Sequence, residues 1–172
     1  MAQGTTTDEL TFRSLGGELN TSTTKYADFS GVKLTSAAVY VGNFAKTNKT
    51  EYIQIRSRNN SGIVTTTSAG TVKSVTFTFD ASNNNKVDVY GKNEAYASAA
   101  DLYSSATQGT KIGTATTSSV TVTPEESYQY IGIRSAGGAV YITSIKIEWE
   151  TSGSTKTSTT VSFGTDYDGK TI

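Results

Sequence analysis

Two six-residue segments carry the most chemistry per residue in this chain. Tyr52-Ile53-Gln54-Ile55-Arg56-Ser57 and Tyr130-Ile131-Gly132-Ile133-Arg134-Ser135 agree at five of six positions. Side chains alternate across a strand, so Ile53, Ile55, Ile131 and Ile133 face one way, into a core. Tyr52, Gln54 and Arg56, like Tyr130 and Arg134, then face the other way. Rings that stack on the apolar face of a sugar, beside guanidinium and amide groups that bind its hydroxyls, make a ligand-binding set. If the two strands are neighbours, the two sets form one concave patch. The other reading is a surface ladder in which Arg stacks on Tyr to hold the sheet.

A second candidate is the long loop from Gly91 to Gly109, with Tyr96, Asp101 and Tyr103, because loops at the ends of sandwiches often carry recognition. Its alternative is a self-packed loop in which Tyr96 and Leu102 cover the core edge. A third is the oxygen-rich run Asp80 to Asp88, where Asp80, Asn83, Asn85 and Asp88 can ligate calcium. That run lacks the Gly and final Glu of an EF-hand loop, and an Asn/Ser hairpin explains it too. Asp8, Glu9 and Asp28 are further oxygen donors for such a site.

Other chemistry is closed off. The chain has no His and no Cys, which removes His bases, Ser-His-Asp triads, thiol nucleophiles, disulfides and His/Cys metal sites. Paired carboxylates can hydrolyse glycosides without His, yet no two acids sit in a motif that fixes the ~5–9 Å separation required. Glu125-Glu126 after Pro124 reads as a solvated turn. Gly137-Gly138 lies between strands rather than before a helix, so it is no phosphate loop. The expectation is no catalysis and no cofactor, with structural calcium as an option. Fifteen basic and fifteen acidic residues balance to a formal net charge of +0, against a nucleic-acid partner.

The elements that position these groups are strands. Ser and Thr stand well above ordinary usage, and Thr, Val, Ile and Tyr suit a pleated surface. Period-two patterning predicts strands at Glu9–Phe12, Phe29–Leu34, Ala38–Asn43, Glu51–Ser57, Ile63–Thr67, Ser74–Asp80, Lys86–Gly91, Lys111–Thr116, Ser119–Thr123, Gln129–Arg134 and Ala139–Glu150. Only Ser98–Tyr103 reads as a helical turn. The expected fold is all-β: a two-sheet antiparallel β-sandwich of jelly-roll type with about ten strands, a closed barrel being the alternative. Uneven spacing between Val72 and Val75, and between Ile142 and Ile145, predicts a bulge or a strand entry at each place. Beyond it Val75, Phe77, Phe79, Ile145, Ile147 and Trp149 belong to the core.

The expected organisation is a flexible N-terminus over 1–7, a sandwich over 8–150, a Thr/Ser linker over 151–160, and a tail over 161–172. The tail reads as the start of a following module or as a natural disordered end. No stretch approaches the ~20 apolar residues of a membrane span. Met1-Ala2-Gln3-Gly4 lacks the n- and h-regions of a signal peptide. The expectation is therefore a piece of an exported parent, with a cytoplasmic β domain as the alternative.

The stretch from Val87 to Trp149 carries further structure: Val87-Asp88-Val89-Tyr90-Gly91, Ala99-Ala100-Asp101-Leu102-Tyr103, Gly109-Thr110-Lys111-Ile112-Gly113-Thr114, the second Tyr-Ile-x-Ile-Arg-Ser segment, and Ala139 to Trp149. In this pattern the chain resembles the jelly-roll β-sandwich accessory domains of secreted and surface proteins of gut bacteria, over roughly residues 8–150. The resemblance implies an extracellular or cell-surface module that is non-catalytic, with tandem neighbours in its parent. Its implied partner is a glycan or a surface protein. A structural spacer or protein-adhesion role is the alternative to carbohydrate binding.

Overall fold

Alternation of β-branched or aromatic residues with polar ones governs the chain from Thr5 to Glu150, and nearly every such run forms a strand. The computed structural model describes residues 4–151. Residues 152–172 hold the rest of the expected linker and the expected next-module strand, and lie outside the described residues. The strands are β1 (Thr5–Leu10), β2 (Glu18–Leu19), β3 (Lys25–Lys33), β4 (Val39–Asn48), β5 (Ile53–Ile55), β6 (Gly62–Thr67), β7 (Thr71–Phe79), β8 (Val87–Lys92), β9 (Thr110–Ala115), β10 (Thr121–Val122), β11 (Tyr130–Ser135) and β12 (Val140–Glu150). A 3₁₀ turn over Ala99–Tyr103 replaces the expected helical turn.

Two sheets form rather than a closed barrel. The first runs β1-β12-β7-β10, with β5 also on β12. The second runs β2-β4-β6-β11-β8-β9, with β3 also on β4. The antiparallel pairs β1 with β12, β6 with β11, β7 with β10 and β8 with β9 are nested one inside the next. That nesting is a long hairpin rolled across two layers, the jelly-roll path. Strands β2 to β5 are an insertion between its first and second strands. The tip of the rolled hairpin is the loop after β8. Among the described residues twelve strands form rather than about ten. The added β2 pairs in parallel with the end of β4, a departure from purely antiparallel pairing. β1 begins at Thr5, inside the stretch expected to be flexible.

Of the two alternatives at each uneven spacing, the bulge is found: the β7–β12 pairing shifts register between Ile142 and Ser144 and again between Glu148 and Trp149. The shifts absorb one extra residue in β12 and one in β7, Thr143 and Lys73. They return Ile145, Ile147 and Val75 to the inward phase. Ile53, Ile55, Ile131, Ile133, Phe77 and Trp149 are all buried. Phe79 differs from expectation: it is only partly covered and lies flat on Phe77, with centroids 5.6 Å apart.

One polar network runs through this apolar interior. Asp8 is fully buried. Its Oδ1 accepts the backbone N–H groups of Thr35 (2.9 Å) and Ser36 (2.7 Å), and its Oδ2 accepts the hydroxyls of Ser36 and of Tyr40, the latter at 2.7 Å. The Tyr40 hydroxyl in turn accepts the Trp149 indole N–H at 3.1 Å. Four donors on one carboxylate offset the cost of burying it. Where the strands end, Thr151 donates its backbone N–H (2.9 Å) and its hydroxyl (3.0 Å) to the carbonyl of Gly4. The two ends of the described chain therefore lie side by side.

Burial raises the Tyr40 phenol far above its ordinary range, and the hydrogen bond to Asp8 pushes it the same way. Above about pH 10 an unfolded chain loses this proton while the folded one keeps it. The folded state then binds more protons, so stability falls as pH rises from there. Tyr40→Phe is expected to lose about 1–3 kcal/mol at neutral pH, from the unmet Asp8 and Trp149 groups. It should also flatten the alkaline decline. Denaturant titrations at neutral and alkaline pH check both; parallel pH profiles for the two proteins would refute the assignment.

Candidate functional site

The two Tyr-Ile-x-Ile-Arg-Ser segments are not neighbours. β5 pairs with β12 in the first sheet, whereas β11 lies between β6 and β8 in the second. Their isoleucines meet in the shared core from opposite layers, so their polar faces point away from each other. The condition for one concave patch is not met, and the two sets form separate clusters.

The β11 cluster is closed by the chain itself. The loop between β8 and β9 folds back over the outer face of the second sheet, joining the first and second candidate sets. Val64, Tyr90, Tyr96 and Leu102 form a small second core, with Tyr103 and Tyr130 packed at its margin. Arg134 donates Nη1–H to the Leu102 carbonyl (2.9 Å) and Nε–H to the Ser135 carbonyl (3.3 Å), and lies 4.1 Å over the Tyr103 ring. Tyr103 donates to the Ser61 carbonyl at 2.9 Å, and Tyr96 to the Gln108 carbonyl at 2.7 Å. Asp101 accepts the Ala97 N–H at 2.7 Å. Lys92 donates to the Thr107 carbonyl at 2.7 Å while standing over the Tyr96 ring.

Each of these groups holds the loop down, which is the self-packed alternative. Gly132 makes the seat: a Cβ there would sit 2.4 Å from Leu102 Cδ2. The cap also explains why β6 and β8 are buried along most of their length, unusual for an antiparallel sheet that faces water on one side.

The calcium candidates are likewise engaged. Asp80 accepts the Ser82 N–H and hydroxyl. These bonds hold its exposed carboxyl below the usual range. Asn83 accepts the Tyr141 N–H at 3.1 Å and donates to the Asn85 carbonyl at 2.9 Å. Asn85 donates to the Ala139 carbonyl. Asp88 accepts the Thr114 hydroxyl at 2.7 Å and pairs with Lys111 at 3.3 Å. The four residues serve as hairpin and sheet contacts. Among the described residues no group of three or more acids is close enough to hold a metal ion.

What stays open is the β5 cluster, which gains members the sequence did not single out. Tyr141 on β12 stands directly opposite Gln54, and its ring lies 5.0 Å from that of Tyr52, tilted by 48°. Arg56 lies over the Tyr26 ring at 3.9 Å. Asn48, at the end of β4, donates to Gln54 Oε1 at 3.2 Å. Burial raises the Tyr26 phenol, opposed by the nearby Gln54 amide and the Arg56 charge. Tyr26, Tyr52, Gln54, Arg56 and Tyr141 are half-buried on the flank where β3 and β4 approach β5 and β12. Tyr141 was readable from the alternation that buries Val140 and Ile142. Nothing in the sequence placed Tyr26 there.

A shallow groove of about 390 Å³ lies elsewhere, between Asp28–Ser30 and Ala97–Ala100 over Val41 and Gly42. Its one aromatic residue, Phe29, is buried in the core, so the groove offers no ring to a ligand. Comparison with protein-family models, with curated proteins and with solved structures found no match. The fold and site therefore rest on this chain's own geometry.

Gly132→Ala is expected to destabilise by about 1–3 kcal/mol through the Leu102 clash, and Leu102→Ala by about 2–5 kcal/mol. Both should speed hydrogen exchange within residues 93–109 ahead of the main core. Unaltered exchange in that loop would show that it is not held as described.

Proposed function

We propose that this protein is a non-catalytic, extracellular or cell-surface module that binds carbohydrate through the flank formed by Tyr26, Asn48, Tyr52, Gln54, Arg56 and Tyr141. The observation that carries the reading is the Tyr52–Tyr141 pair beside the Gln54 amide. Two half-exposed rings stand next to polar groups already fixed by cross-strand contacts. Rings supply apolar area to the C–H face of a sugar at little conformational cost, and preorganised amides supply directed hydrogen bonds.

The architecture supports the same reading. The outer face of the second sheet is occupied by the chain's own loop, whereas the flank keeps the half-buried rings of Tyr52 and Tyr141 beside polar groups. A jelly roll alone assigns no ligand, because function belongs to sites rather than folds; the side chains on the flank carry the proposal. No helix of the described residues is long and apolar enough to cross a membrane.

A glycan array probed with the folded protein, in calcium and then in chelator, tests this. Selective glycan binding is expected, with Tyr52→Ala and Tyr141→Ala each weakening it by about tenfold or more, a loss of roughly 1.4 kcal/mol. Arg134→Ala should lower stability but leave binding intact below its melting temperature. A chelator-sensitive signal would show that binding needs a divalent cation. Absence of any glycan ligand for the folded protein would sink the proposal in favour of a spacer or protein-adhesion module.

A further inference from the structure

The paired arginines of the two repeated segments have opposite fates. Arg134 spends Nε and Nη1 on backbone carbonyls and is locked under the loop. Arg56 stacks on Tyr26 as closely as Arg134 does on Tyr103. Yet among the described residues no protein hydrogen bond or ion pair reaches its guanidinium. The ion pairs are Arg13 with Glu51 and Lys111 with Asp88, and Arg56 Nε is buried without an acceptor. The acid nearest in sequence, Glu51, is already held by Arg13 at 3.0 Å. A half-buried guanidinium stripped of part of its water, without a carboxylate to answer it, is an uncommon expense in a folded protein. Stacking on Tyr26 offsets part of that cost and fixes the plane of the fork. The two Nη groups then present paired donors of the kind that match a planar oxyanion.

We infer that Arg56 makes the flank selective for acidic glycans, by binding the carboxylate or sulfate of one sugar of a chain whose neighbouring sugars rest on Tyr52 and Tyr141. This rests on the carbohydrate-binding reading of the same flank, and narrows it from sugars in general to anionic ones. Arg56 acts here as a binding residue, and no bond is made or broken.

The test measures the affinity of the folded protein for two matched pairs of polymers. Polygalacturonate is set against its fully methyl-esterified form, and dextran sulfate against dextran. The charged member of at least one pair should bind about tenfold or more tighter than its neutral partner, and which pair shows it tells carboxylate from sulfate. Added salt should erase the preference. Arg56→Gln should abolish it, and Arg56→Lys should restore it only in part because the fork is lost. Lys86→Gln, on the loop before β8, should leave it unchanged.

Melting curves confirm that each variant is folded. A preference that survives in Arg56→Gln and drops in Lys86→Gln is general surface charge and overturns the inference. Equal binding of charged and neutral polymers, lost in Tyr52→Ala, overturns the inference while the carbohydrate reading stands. A folded protein that binds neither polymer of either pair overturns the acidic selectivity. If it also ignores every glycan on the array, the carbohydrate reading falls with it.

Discussion

The carboxylate of Asp8 is the constraint on which the rest of the structure turns. It sits on β1, is fully buried, and gathers donors from Thr35, Ser36 and Tyr40. Through Tyr40 it reaches Trp149 on β12. One charged group thereby joins the first strand of the rolled hairpin, the last, and the insertion carried between them. Apolar packing alone is forgiving about register, because Ile, Val and Phe can exchange neighbours at modest cost. A buried carboxylate is not, because every lost donor leaves an unmet charge in a low-dielectric interior. The network therefore specifies where β3 and β4 return against the first sheet, and so where Tyr26 and Asn48 arrive beside β5.

The rolled hairpin sets the second constraint. Its tip lies between β8 and β9, and that tip is long enough to fold back on the second sheet. Leu102 seats on Gly132, and Tyr96 and Tyr103 anchor the ends. A jelly roll with a short tip would leave that face bare; here the chain closes it, while Tyr52 and Tyr141 stay half-buried on the flank. Fold and site are coupled through loop length rather than through catalytic geometry.

Most of the strand pattern was legible in the sequence, because period-two alternation reports directly which side of a strand meets the core. The isoleucines of both repeated segments, the two breaks of phase and the burial of Trp149 all follow from it. Alternation does not say which sheet a strand joins, and that is why β5 and β11 could be read as neighbours when they lie in opposite layers. β2 is too short, at two residues, to carry a pattern. Asp8 was legible only as an oxygen donor, since a lone acid in a Thr-rich strand looks the same whether it faces water or the core. Tyr26 came to the flank through long-range packing. Arg134 is engaged through the loop over β11 and Arg56 stacks on Tyr26 from β3, and no feature of the two near-identical segments foretells either partner.

The meeting of Gly4 and Thr151 has a mechanical consequence. Tension applied across those two residues acts at one end of the β1–β12 pair and at right angles to both strands. The ladder bonds are then loaded one after another, as in opening a zip, rather than all together as in sliding two strands past each other. A body attached in this way yields at low force by peeling β1 away, and peeling pulls Asp8 out of its pocket within the first few residues. A fold pulled at those two residues therefore gives up its buried carboxylate contacts early, before the rest of the ladder is strained.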